Sequence, residues 1–110
     1  MNQSKNNELK SRLEVLNLFD LYKDFLTDKQ KQYFEDYYFN DMSLSEISIT
    51  YNVSRNAILD SNKKTIQILL DFENKLNLLD LREKILNILD NNYDSDEIKE
   101  KIMNINFFKE

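Results

Sequence analysis

An all-α fold is predicted for this chain of 110 residues, and three observations support that prediction. The sequence contains no glycine and no proline, the residues that most often form tight hairpins and interrupt helices. Apolar residues recur at spacings of three and four along much of the chain, which is the period of an amphipathic helix. Two Ser/Thr-x-x-Glu/Gln patterns mark helix starts. We therefore expect helices joined by short turns.

The beginning of the chain divides into a polar segment and a helix. Residues 1–8 are almost entirely polar, and we expect them to be disordered. They also lack the apolar core of a signal peptide. A helix is predicted over residues 9–24, because apolar side chains follow at helical spacing. They are Leu9, Leu13, Leu16, Phe19 and Tyr22.

A second helix is predicted to begin at Thr27 and Gln30, whose spacing is typical of a capping box. Four aromatic residues follow: Tyr33, Phe34, Tyr37 and Tyr38. Aromatic side chains at this helical spacing are expected to form the bulky part of a small core. A stacking platform for nucleic-acid bases is the alternative interpretation.

Residues 43–70 are interpreted as a helix-turn-helix, the motif around which the chain is organised. Ser43 and Glu46 form a second capping box, at the start of a short helix. Asn52 follows that helix where the chain must turn, because asparagine tolerates positive φ better than other non-glycine residues. Ser54 is placed to cap the next helix. Two consecutive helices of an ordinary bundle are the alternative.

The helix after this turn is expected to enter a nucleic-acid groove, as the recognition helix of such a motif does. No breaker interrupts it before about residue 79. The candidate nucleic-acid-binding residues in its polar first turns are Ser54, Arg55, Asn56, Asp60, Lys63 and Lys64. Ser54 is suited to a phosphate, and Arg55 and Asn56 are suited to base edges. The two lysines are suited to the phosphate backbone, whereas Asp60 repels phosphate unless it accepts from a cytosine.

Residues 80–110 are predicted to form a C-terminal helical extension of a helix-turn-helix domain that spans residues 9–79. One helix is expected from about residue 81 to residue 90, and another begins at Asp94. The apolar residues of this part are too many for one helix pair to hide within itself. They pack either against the first helix or at a subunit interface. A homodimer would supply the two recognition helices that most such proteins need.

The composition argues against an enzyme. The chain has no histidine and no cysteine, so zinc ligands and the usual nucleophile–base pairs are missing. Without glycine it has no loop that could cradle a phosphate. We therefore predict no catalytic residues, no metal site and no cofactor. Since no apolar run approaches the roughly 20 residues that span a bilayer, and no cysteine is present, a cytoplasmic protein without membrane insertion is expected.

The distribution of charge is unfavourable for a strong phosphate binder. The net charge is −5. Residues 1–70 hold 9 Lys or Arg against 10 Asp or Glu, whereas residues 71–110 hold 6 against 10. The helix-turn-helix is therefore close to neutral and the acidic excess lies in the C-terminal part. Binding to duplex DNA is expected to be weak or to need two subunits.

Several separated motifs between Leu18 and Leu78 resemble the YlxM-like family of small bacterial helix-turn-helix proteins. They are LFDLY at 18–22, LTDKQ at 26–30, YY at 37–38, SLSEI at 43–47, NVSRNAI at 52–58, and the pairs at 72–73 and 75–76. The resemblance implies a helix-turn-helix bundle similar to region 4 of bacterial sigma factors. It also implies a regulatory role in the signal recognition particle pathway, because the family's genes tend to lie beside those of the particle. No enzymatic activity comes with it.

The chain departs from the family pattern at three positions. Ser45 and Ser48 stand where the family often has glycine and alanine. Asn62 stands where an apolar residue is expected, and its polar side chain needs a hydrogen-bond partner or exposure to solvent.

Two functions from different classes fit these observations. The first is a nucleic-acid-binding regulator, whose ligand is DNA or the RNA of the signal recognition particle. The second is a protein-interaction module that docks on signal recognition particle proteins without binding DNA. The acidic C-terminal part motivates the second, because an acidic surface is complementary to a basic partner.

Overall fold

The regular secondary structure of this chain is helical throughout the part that the computed structural model describes, namely the backbone of residues 2–105 and the side chains of residues 12–105. Six α-helices follow one another there: α1 Asn2–Tyr22, α2 Asp28–Tyr38, α3 Leu44–Tyr51, α4 Arg55–Leu76, α5 Leu78–Leu89 and α6 Ser95–Met103. A single 3-10 turn, Lys23–Phe25, joins α1 to α2. The predicted all-α class is confirmed. None of the described helices combines the length and the apolar character needed to cross a membrane.

The chain divides into two compact units, Met1–Lys75 and Leu76–Glu110. The first unit contains α1, α2, α3 and nearly all of α4, and the second contains α5 and α6. The domain organisation expected from the sequence, with a helix-turn-helix domain over 9–79 and an extension over 80–110, stays a prediction.

Two helix boundaries differ from the predicted ones. The first helix begins at Asn2 rather than at residue 9, because polar residues without glycine or proline do not prevent a helix from propagating. The disorder predicted for residues 1–8 concerns mobility in solution and stays a prediction. The recognition helix ends at Leu76 rather than near residue 79, since Asn77 adopts a left-handed conformation with φ 54°. Asparagine tolerates that conformation, so it ends the helix without a glycine.

The two predicted capping boxes are confirmed. The hydroxyl oxygen of Thr27 accepts from the Gln30 N–H at 3.2 Å, and the Gln30 side chain accepts from the Thr27 N–H at 2.9 Å. Ser43 and Glu46 exchange the same pair of bonds, at 3.1 and 3.2 Å. Each pair satisfies backbone N–H groups that the first turn of a helix leaves free. The starts of α2 and α3 are therefore fixed by local sequence.

The core of the first unit is largely aromatic. The ring of Phe19 on α1 stacks on Phe34 of α2, with centroids 4.3 Å apart. Tyr33, Ile47 and Ile58 form a buried cluster that joins α2, α3 and α4. Tyr33 and Phe34 are therefore core residues, as the preferred interpretation of the aromatic run predicted, and their rings are too buried to stack on bases.

The second unit contains two short helices, α5 and α6, joined by residues 90–94. The carboxylate of Asp94 accepts from the Glu97 N–H at 2.9 Å, which confirms the predicted start of α6. Leu79 and Ile105 are buried, whereas Leu86, Leu89 and Met103 are half or more exposed.

Candidate nucleic-acid interface

The turn between α3 and α4 is closed by hydrogen bonds on both sides of a left-handed residue. Asn52 has φ 53° and ψ 48°, as predicted from the tolerance of asparagine for this region. The Val53 N–H donates to the Ser48 carbonyl oxygen at 3.1 Å. In return, the Ser48 hydroxyl donates to the Val53 carbonyl oxygen at 2.5 Å. These bonds fix where α3 stops and in which direction α4 leaves.

Ser45 and Ser48, which were expected to depart from the family pattern, both take part in this arrangement. An alanine at position 48 would have no hydroxyl to bond the Val53 carbonyl. The hydroxyl oxygen of Ser45 accepts from Nη1 of Arg55 at 3.4 Å, so it holds the guanidinium beside α3. The two serines therefore supply hydrogen bonds to the turn and to the first residue of α4.

The start of α4 is capped by Ser54, as predicted. Its hydroxyl oxygen accepts from the Ala57 N–H at 3.0 Å. The oxygen is thus engaged in the cap, while its own hydrogen is available to a ligand oxygen. Ser54 lies at the positive end of the helix macrodipole, where an anion is stabilised.

One face of α4 is buried and fixes which residues face outward. The buried positions are Ile58, Asn62, Thr65 and Leu69, which follow at spacings of three and four. Residues on the opposite face must then lie in solvent. All six sequence-predicted site residues are exposed: Ser54, Arg55, Asn56, Asp60, Lys63 and Lys64.

Asn62 is buried on that inner face, at a position where an apolar residue was expected. Its side chain is only 5% exposed. Among the described residues, neither its Oδ1 atom nor Oγ1 of Thr65, one turn further on, has a hydrogen-bond partner. Two unpaired polar atoms on the inner face weaken the attachment of α4 to the bundle.

The cations of α4 have no carboxylate partners in the part of the chain that the structure describes. Arg55, Lys63 and Lys64 form no ion pair there, although Asp60 stands at the spacing at which helical ion pairs form with the two lysines. By contrast, Lys23 pairs with Asp20 at 4.0 Å. The positive charge of α4 is therefore available to an outside anion.

Two open depressions flank the first turns of α4, residues 55–64, which we call the α4 ridge. The α3-side depression is lined by Leu44, Ser54, Arg55, Asn56 and Leu59. The α2-side depression is lined by Lys29, Gln30, Tyr33, Val53, Ala57, Asp60, Ser61 and Lys64. The structure thus brings Ser54, Arg55 and Asn56 together on one side and Asp60 and Lys64 on the other. Lys63 is exposed outside both.

The sequence interpretation missed a buried carboxylate that ties α3 to α2. Asp36 is 5% exposed, and it accepts from the Tyr51 hydroxyl at 2.6 Å and from the Asn40 amide at 3.0 Å. The pKa of Tyr51 is raised from 10.0 to about 12. The larger cause is burial of the phenol, and the second is its hydrogen bond to Asp36. The signal in the sequence is that Asp36 follows the core residue Tyr33 by three positions and so shares its face.

The comparisons with known proteins agree with this geometry. A family model described as "Putative helix-turn-helix protein, YlxM / p13 like" matches residues 9–106. That description is of a helix-turn-helix protein and not of an enzyme. The match covers both units.

Three relatives show how much of the chain is shared. A UPF0122 protein of Mycoplasma capricolum subsp. capricolum is 45% identical over 97 residues, which cover 88% of this chain and 85% of that protein. One of Malacoplasma penetrans is 54% identical over 79 residues, or 68% of this chain and 74% of the relative. One of Fusobacterium nucleatum is 44% identical over 73 residues, or 66% and 71%.

Proposed function

The chain belongs to the UPF0122 family of YlxM / p13-like helix-turn-helix proteins, and from this membership we propose that it is a regulatory protein that binds duplex DNA through the α4 ridge. The observation that carries the proposal is the exposure of Arg55, Lys63 and Lys64 without carboxylate partners among the described residues. A helix start that presents unpaired cations is suited to a groove lined by phosphates. The protein acts by binding and not as an enzyme.

Duplex DNA fits the α4 ridge better than duplex RNA does. The major groove of B-form DNA, about 12 Å wide, admits an α-helix. The major groove of A-form RNA is deep and narrow, so a helix cannot enter it. A ridge with an open depression on either side has room for the two backbones that border the DNA groove.

Each candidate residue has a role in this proposal. Asn56 is suited to adenine, whose N6 and N7 atoms pair with an amide, and Arg55 is suited to guanine. The hydroxyl of Ser54 and the helix start bind a phosphate. Lys63 and Lys64 bind the backbone. Asp60 either accepts from the amino group of cytosine or opposes binding.

The net charge limits how tightly one subunit can bind DNA. It is −5, so the protein as a whole is repelled by phosphate. We therefore propose weak binding that falls with added salt and that a homodimer strengthens by engaging two half-sites. The regulated process is the signal recognition particle pathway, which is what the family resemblance implies.

The experiment that tests the function is a salt titration of binding to a fluorescent duplex selected from a random pool. Affinity should fall as a power of salt concentration, and Arg55→Ala should weaken binding and relax the preference for guanine at one position of the selected site. Lys75→Ala is the matched control, because Lys75 is exposed at the far end of the same helix. Binding that does not change with salt, or that survives Arg55→Ala unaltered, contradicts the proposal.

A second candidate function is supported by one observation in the second unit. Leu86 and Leu89 of α5 and Met103 of α6 expose apolar surface within the acidic part of the chain. This combination suits a basic, amphipathic partner protein, such as a protein of the signal recognition particle. The tagged protein should then recover such a partner after nuclease treatment, whereas the DNA-binding proposal predicts that nuclease removes what is bound.

A further inference from the structure

Lys29 lies outside the helix-turn-helix in sequence but beside the α4 ridge in space. It belongs to the first turn of α2, whereas Lys64 belongs to α4, and both line the α2-side depression. This cation is not one of the candidate residues that the sequence indicated. Lys29 lies beside α4 because α2 and α4 pack together through Tyr33 and Ile58.

The charge of Lys29 is not explained by the needs of the fold. A cation in the first turn of a helix is opposed by the helix macrodipole. The acidic residue of that turn, Asp28, pairs instead with Lys31 at 3.6 Å. Within the described chain, the ammonium of Lys29 has no carboxylate partner and lies 5.9 Å from the centre of the Tyr33 ring. The Tyr33 ring restricts the position of the ammonium but carries no net charge, so it does not neutralise Lys29.

The other side chains of the depression narrow the choice of ligand. The Oε1 atom of Gln30 accepts in the cap of α2, whereas its Nε2 amide can still donate to an anionic ligand. Asp60 contributes one negative charge against the two lysines, which leaves the depression with a net positive charge. A single anionic group such as a phosphate suits that balance.

The α3-side depression carries its own cation, Arg55, next to the capped helix start at Ser54. Arg55 bonds the Ser45 hydroxyl and has no carboxylate partner among the described residues. The α4 ridge thus has a cationic site on each side. When a helix lies in a major groove, the two phosphate backbones pass on its two sides. Each depression then faces a different strand.

We propose that Lys29 and Lys64 together bind a phosphate of one DNA strand, opposite the strand that faces Ser54 and Arg55. This inference rests on the proposed DNA binding and extends it to α2. Lys29 is a backbone-positioning residue, which fixes how the α4 ridge sits in the groove and reads no base. The footprint on DNA therefore includes a helix that precedes the helix-turn-helix.

The test compares Lys29→Ala with Lys31→Ala in the same helix. Lys31 is ion-paired with Asp28 and lines neither depression, so it is the matched control. On the selected duplex, Lys29→Ala should weaken binding about five-fold and lower the salt slope by about one, whereas Lys31→Ala should leave both unchanged. Lys29→Ala should unfold at the temperature of the wild-type protein, because Lys29 is exposed. Lys31→Ala should shift that temperature little, because the ion pair that it loses involves the fully exposed Asp28.

The strand assignment has a separate readout. The chain has no cysteine, so Lys29→Cys and Arg55→Cys each provide one thiol for a tethered cleavage reagent. With each strand end-labelled in turn, the two variants should cut opposite strands. Cuts on the same strand by both variants overturn the inference. It is also overturned if Lys29→Ala weakens binding to a single-stranded RNA as much as it weakens binding to the selected duplex.

The outcomes separate this inference from the proposed function. If Arg55→Ala weakens binding and Lys29→Ala does not, DNA binding stands and the role of Lys29 is wrong. If the wild-type protein shows no salt-dependent binding to any duplex, the proposed function itself is wrong.

Discussion

The hydroxyl of Tyr51, at the end of α3, donates a hydrogen bond of 2.6 Å to the buried carboxylate of Asp36 on α2. Asn40 holds the other carboxylate oxygen at 3.0 Å, and the Tyr51 ring meets the Tyr33 ring edge-on at 5.2 Å. The hydrogen bond between Tyr51 and Asp36 therefore ties α3 to α2 immediately before the turn at Asn52. Since α4 follows that turn, the direction of the recognition helix depends on this pair.

Tyr51→Phe should destabilise the protein by about 1.5–3 kcal/mol, because a buried carboxylate loses one of its hydrogen-bond donors. Tyr37→Phe is the matched control. The Tyr37 hydroxyl has no hydrogen-bond partner among the described residues, so its removal should change the free energy of unfolding by less than about 0.5 kcal/mol. Urea denaturation measures both values, and equal effects of the two substitutions would show that the bond to Asp36 is not stabilising.

Stability should fall at alkaline pH through the same pair. The pKa of Tyr51 is raised from 10.0 to about 12, so the folded state favours the neutral phenol. The stabilisation is complete below pH 10 and is lost as the pH rises towards 12. The difference in free energy of unfolding between the wild-type protein and Tyr51→Phe should therefore shrink over this range. A difference that stays constant from pH 9 to pH 11.5 counts against the raised pKa.

Thr65→Val should stabilise the protein by about 1 kcal/mol. The Thr65 hydroxyl is fully buried and has no partner in the described part of the chain, and valine has nearly the same shape. The control is Thr50→Val on α3, where the hydroxyl is exposed and donates to the Glu46 carbonyl at 2.8 Å. That change should stay within about 0.5 kcal/mol. Destabilisation by Thr65→Val would instead reveal an ordered water bound to the hydroxyl.

The left-handed residue in the turn should tolerate glycine but not alanine. Asn52→Gly should leave the thermal unfolding temperature close to that of the wild type, because glycine adopts φ 53° without steric cost. Asn52→Ala should cost about 1 kcal/mol, because asparagine offsets the steric cost of this region by local hydrogen bonding of its side chain and alanine does not. If both substitutions cost the same, the conformation of residue 52 is not what fixes the turn.

Asp60→Asn should tighten DNA binding by a few-fold, if Asp60 opposes the phosphate held by Lys64 in the α2-side depression. Asp71→Asn is the control. Asp71 is exposed on the same helix, one turn beyond Gln67, whose amide donates to it at 3.0 Å. Fluorescence anisotropy at two salt concentrations measures both. Weaker binding of Asp60→Asn on a selected site, with loss of preference at one position, would instead identify Asp60 as a contact to cytosine.

Local signals in the sequence determined the elements of this fold. The capping boxes at Thr27 and Ser43 involve groups three residues apart, so the sequence alone predicts them. The turn at Asn52 and the cap at Ser54 depend on neighbouring backbone in the same way. The exposure of the six candidate residues followed from helical periodicity. The end of α4 at Asn77 was missed, because asparagine also occurs inside helices and its presence alone does not mark an end.

Only the tertiary structure decided the features that join distant residues. The carboxylate of Asp36 became a buried anchor because Tyr51, fifteen positions away, reaches it across two helices. Asn62 became buried because the bundle covers its face of α4, although its polarity predicted a partner or exposure. Lys29 came to line the same depression as Lys64 through the packing of α2 on α4. A sequence states the period of each helix, but which faces meet depends on the packing of all side chains at once.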